Sequence, residues 1–247
     1  MPQTVSQPTV VASRHSLVVR ITHWLTVIAF FALLISGLEI VISHPRFYWG
    51  ETGNVMTKPL FTLPIPSSRD TVPTAYKYVM PDQNGWSRYL HFQAAWLVLL
   101  TGAVYFVVSL WNRHFLRDLL PPAGERNLQA YTRVIKTYLR RQHKSMNDAT
   151  SYNILQRTAY LVVIFVLFPL MIWTGLAMSP AFVAVAPWPS IILGGKQSAR
   201  TLHFAVTGAL TLFVLLHIVM VTLAGFWRRM RAMTTGLPAY PVNEERP

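Results

Sequence analysis

Four apolar stretches, each long enough to cross a bilayer, constrain this chain more than any other feature. They fall near residues 18–43, 88–111, 154–178 and 200–227. A hydrocarbon core of about 30 Å takes about 20 helical residues. Within it a single run must satisfy its own backbone hydrogen bonds, which selects the α-helix. Composition agrees: 52% of the residues are hydrophobic and 13% charged, where soluble chains carry about 25% charged. The expected fold class is all-α, an integral membrane four-helix bundle. One domain is expected over residues 1–247, with an outer loop at 44–87 and an inner amphipathic segment at 112–153. The polar residues 1–16 and the lack of a small-residue cleavage site predict that the first span stays as an anchor.

The placement of the basic residues predicts orientation. Of the 22 Lys and Arg residues, only Arg46, Lys58, Arg69, Lys77, Arg88, Lys196 and Arg200 fall on the side of the 44–87 loop. The positive-inside bias therefore puts both termini in the cytoplasm, with 44–87 and 179–199 on the opposite side. The net charge of +13 is accounted for by cytoplasmic loops, and no nucleic-acid partner is expected. The two outer loops are proline-rich and carry Phe47, Tyr48, Trp49, Tyr76, Tyr78, Trp86 and Trp188. These aromatics read either as an interfacial belt or as a docking platform for an external protein. On the inner side, Leu128, Tyr131, Ile135 and Tyr138 recur at helical spacing among basic residues, as in an amphipathic helix on an anionic lipid leaflet.

The chain has no cysteine and eight histidines. Without sulfur ligands, iron–sulfur clusters, thioether-attached haem, thiolate zinc sites and disulfides are excluded. Any redox chemistry must rest on histidine, carboxylates or a dissociable cofactor. Ionisable residues inside spans are costly and need a reason. Four histidines lie there: His23 in the first span, His91 in the second, and His203 and His217 in the fourth.

His203 and His217 are fourteen residues apart. At about 100° and 1.5 Å per residue they share one helix face at two depths about 21 Å apart. A single metal ion cannot use both, but two separate sites can. Matching depths pairs His91 with His203 near the outer surface and His23 with His217 near the inner one. Two imidazoles facing each other from different helices make the axial ligand pair of a non-covalently held b-type haem. Arg20, Arg88 and Arg200 each precede a candidate ligand by three residues and so share its helix face, where a guanidinium can pair with a haem propionate. Every span also holds a hydroxyl–glycine pair: Ser36-Gly37, Thr101-Gly102, Thr174-Gly175 and Thr207-Gly208. Gly37 falls at the depth of the outer site, where the missing Cβ lets a porphyrin edge approach; ordinary small-residue helix packing is the alternative. His15, His114 and His143 lie among basic residues and are expected in water, and His44 is a weaker candidate. Glu39 either snorkels outward or joins an outer hydrogen-bond network.

The one, one, none and two distribution of these histidines over four spans resembles the bacterial cytochrome b561 and nickel-hydrogenase cytochrome b superfamily, including the membrane subunits of formate dehydrogenase and thiosulfate reductase. The resemblance covers about residues 14–232. It implies a bacterial inner-membrane, multi-pass subunit with two haem b groups that links an extracytoplasmic oxidoreductase to membrane quinone, ubiquinone or menaquinone. Tyr152-Asn153-Ile-Leu-Gln156-Arg157 is similar to a formate dehydrogenase segment bordering the quinone, which implies Asn153, Gln156 and Arg157 as quinone contacts. The segments from Tyr48 to Asn54 and from Pro81 to Arg88 are similar to cytochromes b found beside periplasmic sulfite-oxidase-type molybdopterin enzymes.

Three functions follow for testing. The leading one is a di-haem conduit between a periplasmic redox partner and quinone. The second is a stand-alone superoxide:quinone oxidoreductase, with Lys77, Arg88, Lys196 and Arg200 steering an anion. The third is a haem-free transporter or assembly factor using the histidines for protons or metal.

Overall fold

A computed structural model of the chain describes residues 16–54, 56–65, 83–112, 119–122, 124, 126–139, 154–223 and 225–237. Among the described residues four helices are long and apolar enough to span a membrane, and together they form a helical bundle. The first, α1 (Leu17–Ser43), starts where the Ser16 hydroxyl accepts the Val19 N–H, a side-chain cap for an otherwise orphaned donor. The second, α2 (Gln83–Trp111), begins five residues before the expected start and packs along α1. A short amphipathic helix, α3 (Leu128–Leu139), follows, capped by Asn127 Oδ1, which accepts the Ala130 N–H at 2.8 Å.

The third span runs from Ile154 to Met178 but is not uniform. It consists of α4 (Ile154–Val162), a π-helical turn (Val163–Leu167) and α5 (Phe168–Met178). Pro169 supplies the reason. It has no N–H for the carbonyl four residues back, and its ring crowds that carbonyl. The wider turn absorbs the defect, with Phe168 N–H reaching Val163 O.

Two short helices, α6 (Pro180–Val185) and α7 (Trp188–Ile192), lead into the fourth span, α8 (Lys196–Leu223). It starts four residues earlier and stops four residues sooner than the sequence reading. Gly225, at φ +95°, turns the chain into a separate amphipathic helix, α9 (Phe226–Thr235), tied to α1 by Trp24 Nε1–H donating to Met233 O at 3.2 Å.

α1 packs on α2 and α5 packs on α8, whereas α8 stands back from α1 and α2 at the level of the backbone. Midway along the bundle the space is closed by buried Val163, Val206 and Leu210, with Phe30, Phe168, Met171 and Phe213 against them. The end holding the 44–65 segment is termed the loop end, and the end holding α3 and α9 the tail end.

The loop-end segment is pinned to α8. β1 (Arg46–Phe47) and β2 (Phe61–Thr62) form a two-stranded antiparallel ribbon. Phe47 and Tyr48 are buried, which corrects their reading as belt or platform residues: Phe47 stacks on Phe61 and lies against Phe204. Gly50 O accepts the Gln197 and Ser198 N–H groups, and Glu51 Oε2 accepts the Lys196 N–H at 3.0 Å. These are the first N–H groups of α8, which no intrahelical carbonyl can satisfy. Thr201 Oγ1 donates to Tyr48 O at 2.7 Å. Trp49, Trp86 and Trp188 remain exposed, while Tyr76 and Tyr78 lie outside the described residues.

Candidate functional site

The structure brings the four span histidines together in the two pairs that depth matching predicts. His91 on α2 faces His203 on α8 with ring centroids 6.2 Å apart, and His23 on α1 faces His217 on α8 at 6.5 Å. Two metal–imidazole bonds of about 2 Å plus half of each ring span about 6 Å. Each pair therefore has the separation of two ligands on one metal. Among the described residues, no group of three or more His, Cys, Asp or Glu gathers to hold a bare ion. Two imidazoles alone suit a metal whose other ligands arrive with a cofactor.

At the loop-end pair, both rings are held by hydroxyls on the neighbouring helix. Ser36 Oγ lies 3.0 Å from His91 Nδ1 and Thr174 Oγ1 lies 2.9 Å from His203 Nδ1. The glycines that follow these hydroxyls pack on the same rings: a Cβ at Gly37 would sit 3.5 Å from His91 Cε1, and one at Gly175 3.6 Å from His203 Cε1. The other two hydroxyl–glycine pairs differ. Gly102 and Gly208 face open space, and the Thr101 and Thr207 hydroxyls donate to their own helices.

The tail-end pair sits among rings instead. Phe213 stacks on His217 at 6.0 Å, Tyr160 meets it edge-on at 6.3 Å, and Trp24 lies beside His23 at 5.5 Å. Tyr160 was absent from the sequence reading, although Phe213, four residues before His217, shares its helix face.

The three arginines are placed differently. Arg20 is on α1, one turn before His23, and its Nε is buried without a hydrogen-bond partner. Arg88 is exposed. Arg200 donates through Nη2 to His44 O and through Nη1 to Arg46 O, and lies over the Phe47 ring. Of the proposed quinone contacts, Asn153 lies outside the described residues, as do His15, His114 and His143. Gln156 and Arg157 are on α4; Arg157 Nη1 donates to Leu120 O at 3.1 Å. Gln156 is one turn before Tyr160 and so shares the helix face that meets His217. Glu39 keeps a buried Oε1 without a hydrogen-bond partner.

A four-span membrane bundle with paired imidazoles at two levels defines a class of intramembrane redox carrier. Residues 14–236 match the family described as prokaryotic cytochrome b561, and the chain belongs to that family. It is also 28% identical over 222 residues to a protein of Azospira oryzae described as putative protein-methionine-sulfoxide reductase subunit YedZ1, a match covering 88% of this chain and 93% of that protein. No solved structure gives a significant match. The family is one of haem b membrane proteins of electron transport, and the residues fit that group. The imidazole separations suit an iron, the loop-end hydroxyls lie on Nδ1 and so leave Nε2 free for a metal, and buried Arg20 Nε is a donor without an acceptor.

Proposed function

We propose that the chain is a di-haem b subunit passing electrons between a periplasmic oxidoreductase and membrane quinone. The observation that carries this is the presence of two imidazole pairs, each at a ligand-pair separation, at opposite ends of the bundle. His91 and His203 would hold the periplasmic-side haem, and His23 and His217 the cytoplasmic-side one. Bound there, haem b would supply a one-electron couple, and with two imidazoles to hold each group the chemistry it would support is electron transfer. Arg20, Arg88 and Arg200 are assigned to the propionates, and the orphaned Nε gives Arg20 the strongest support. The loop end, where Trp49, Trp86 and Trp188 are exposed, is assigned to the periplasm and to the partner. The likeness to a protein described as a protein-methionine-sulfoxide reductase subunit supports a partner of that kind, in keeping with a molybdopterin enzyme. Both termini then lie in the cytoplasm, and the membrane is the bacterial inner membrane.

Quinone is placed at the tail end, bordered by Asn153, Gln156 and Arg157. An amide donates to a quinone carbonyl or accepts from a quinol hydroxyl, and Gln156 shares a face with Tyr160, which touches the His217 ring. The stand-alone superoxide reading needs free cations at the loop end. Lys196 is instead 3.8 Å from Glu51, while Arg88 is exposed and Lys77 lies outside the described residues. The test is quinol-driven haem reduction in proteoliposomes holding the purified chain. Rapid reduction by a ubiquinol or menaquinol analogue, slowed at least tenfold in Asn153→Ala or Gln156→Ala, is expected; equal rates in parent and variants would remove the quinone from this place.

A further inference from the structure

The two histidine pairs are held by different chemistry. Ser36 Oγ lies 2.6 Å from Ala32 O and 3.2 Å from Leu33 O; Thr174 Oγ1 lies 2.8 Å from Leu170 O and 3.0 Å from Met171 O. A hydroxyl has one hydrogen to give. Spent on a carbonyl of its own helix, it leaves each oxygen only lone pairs to offer an imidazole. The 3.0 and 2.9 Å contacts then fit Nδ1–H groups donating to the hydroxyls, with the Leu33 and Met171 carbonyls beside them as further acceptors, which assigns Nε2 as the unprotonated nitrogen on both rings. Ser36 and Thr174 are each 0% exposed, so water does not compete. The same device occurs on both sides: a hydroxyl followed by glycine, with the glycine packed on Cε1 of the ring that the hydroxyl orients. His23 and His217, in contrast, are flanked by Trp24, Tyr160 and Phe213, and no described residue hydrogen-bonds to either ring.

We propose that Ser36 and Thr174 are positioning residues that fix the tautomer of both loop-end imidazoles and set the reduction potential of the haem held there apart from that of the tail-end haem. The inference rests on the two-haem reading above. A hydrogen bond from the far ring nitrogen fixes ring orientation and makes a ligating imidazole more basic. A more basic ligand favours the more positive, oxidised metal, so the hydroxyls lower the loop-end potential and their removal raises it. The tail-end couple, to which no described residue supplies such an acceptor, is unaffected.

The test is a spectroscopic redox titration of the purified holoprotein for the parent, Ser36→Ala, Thr174→Val and Thr174→Ser, with low-spin ferric EPR on the same samples. The couple lost in His203→Ala identifies the loop-end haem. At a fixed ambient potential, its ferrous-to-ferric ratio is expected to rise about fivefold in Ser36→Ala and in Thr174→Val, about 40 mV for a one-electron couple. The second couple stays in place, and Thr174→Ser, which keeps the hydroxyl, returns the parent curve. Because the two hydroxyls are on different helices, either variant tests the idea if the other folds poorly. Unmoved curves in both hydroxyl-free variants, or equal movement of both couples, would overturn the proposal while leaving two haems in place. A parent without haem would overturn the two-haem reading and this inference together.

Discussion

Gly175 shows how finely the loop-end pair is fitted. A Cβ there would rest 3.6 Å from His203 Cε1, ordinary van der Waals contact, so alanine fits and a longer side chain does not. Gly175→Ala is expected to keep the parent's haem content. Gly175→Leu forces methyl groups toward the imidazole at a cost of about 2 kcal/mol; haem stoichiometry should show one of two haems depleted, and a full complement would mean that the glycine is mere helix packing. The matching depth of Gly37 was legible in the sequence, because fourteen residues past His23 on a regular helix is a fixed distance. The hydroxyl beside it was visible too, as half of a hydroxyl–glycine pair, but the ring it meets was not. Ser36 meets a ring 55 residues away, and which way a serine turns depends on a neighbour that periodicity does not encode. Phe47 and Tyr48 were misread for a related reason: an aromatic residue in a proline-rich loop has the same sequence signature whether it meets lipid or packs under a strand.

At the scale of elements, the start of α8 depends on a segment about 150 residues earlier in the chain. Gly50, Glu51 and Tyr48 satisfy groups on Lys196, Gln197, Ser198 and Thr201. Gly195, at φ +114°, allows the approach, since a Cβ there would lie 2.5 Å from Gly50 and Glu51 backbone atoms. Thr201→Val keeps the shape but leaves buried Tyr48 O without its donor, at a cost of about 1–3 kcal/mol. The melting temperature of the holoprotein is expected to fall, with the loop-end haem lost first on heating; an unchanged melt would show that the clamp is dispensable. The π-helical turn makes a complementary prediction at the tail end. Pro169→Ala restores a donor, so the turn can relax to α-helix and rotate α4, moving Tyr160 away from His217. EPR should then report a shift in the tail-end haem alone. The number, type and approximate limits of the spans were legible, because 20-residue apolar runs admit one structure. The π turn had a visible signal in Pro169, as the break after α8 had in Gly225, but the clamp is a long-range match of backbone groups that no local pattern announces.

The whole molecule is two packed helix pairs, α1 with α2 and α5 with α8, that meet across two sets of facing histidines with an apolar layer between them. His203 and His217 put both sites on one helix, and their partners come from the opposite pair. In the proposed di-haem reading, an electron moving from one site to the other would cross much of the bilayer and so be coupled to the membrane potential, about 2.3 kcal/mol per charge per 100 mV for a full crossing. This architecture was legible because helical spacing fixes depth and connectivity fixes which depths coincide. The partner was not, because the exposed loop-end surfaces to which we assign it are determined by neither spacing nor depth. The most direct measurement is the haem count of the purified chain, by pyridine haemochrome with reduced-minus-oxidised spectra, alongside His203→Ala and His217→Ala. Two haem b groups in the parent, with a different one lost or five-coordinate in each variant, is the predicted result. No haem, or a single haem indifferent to both substitutions, would contradict the account.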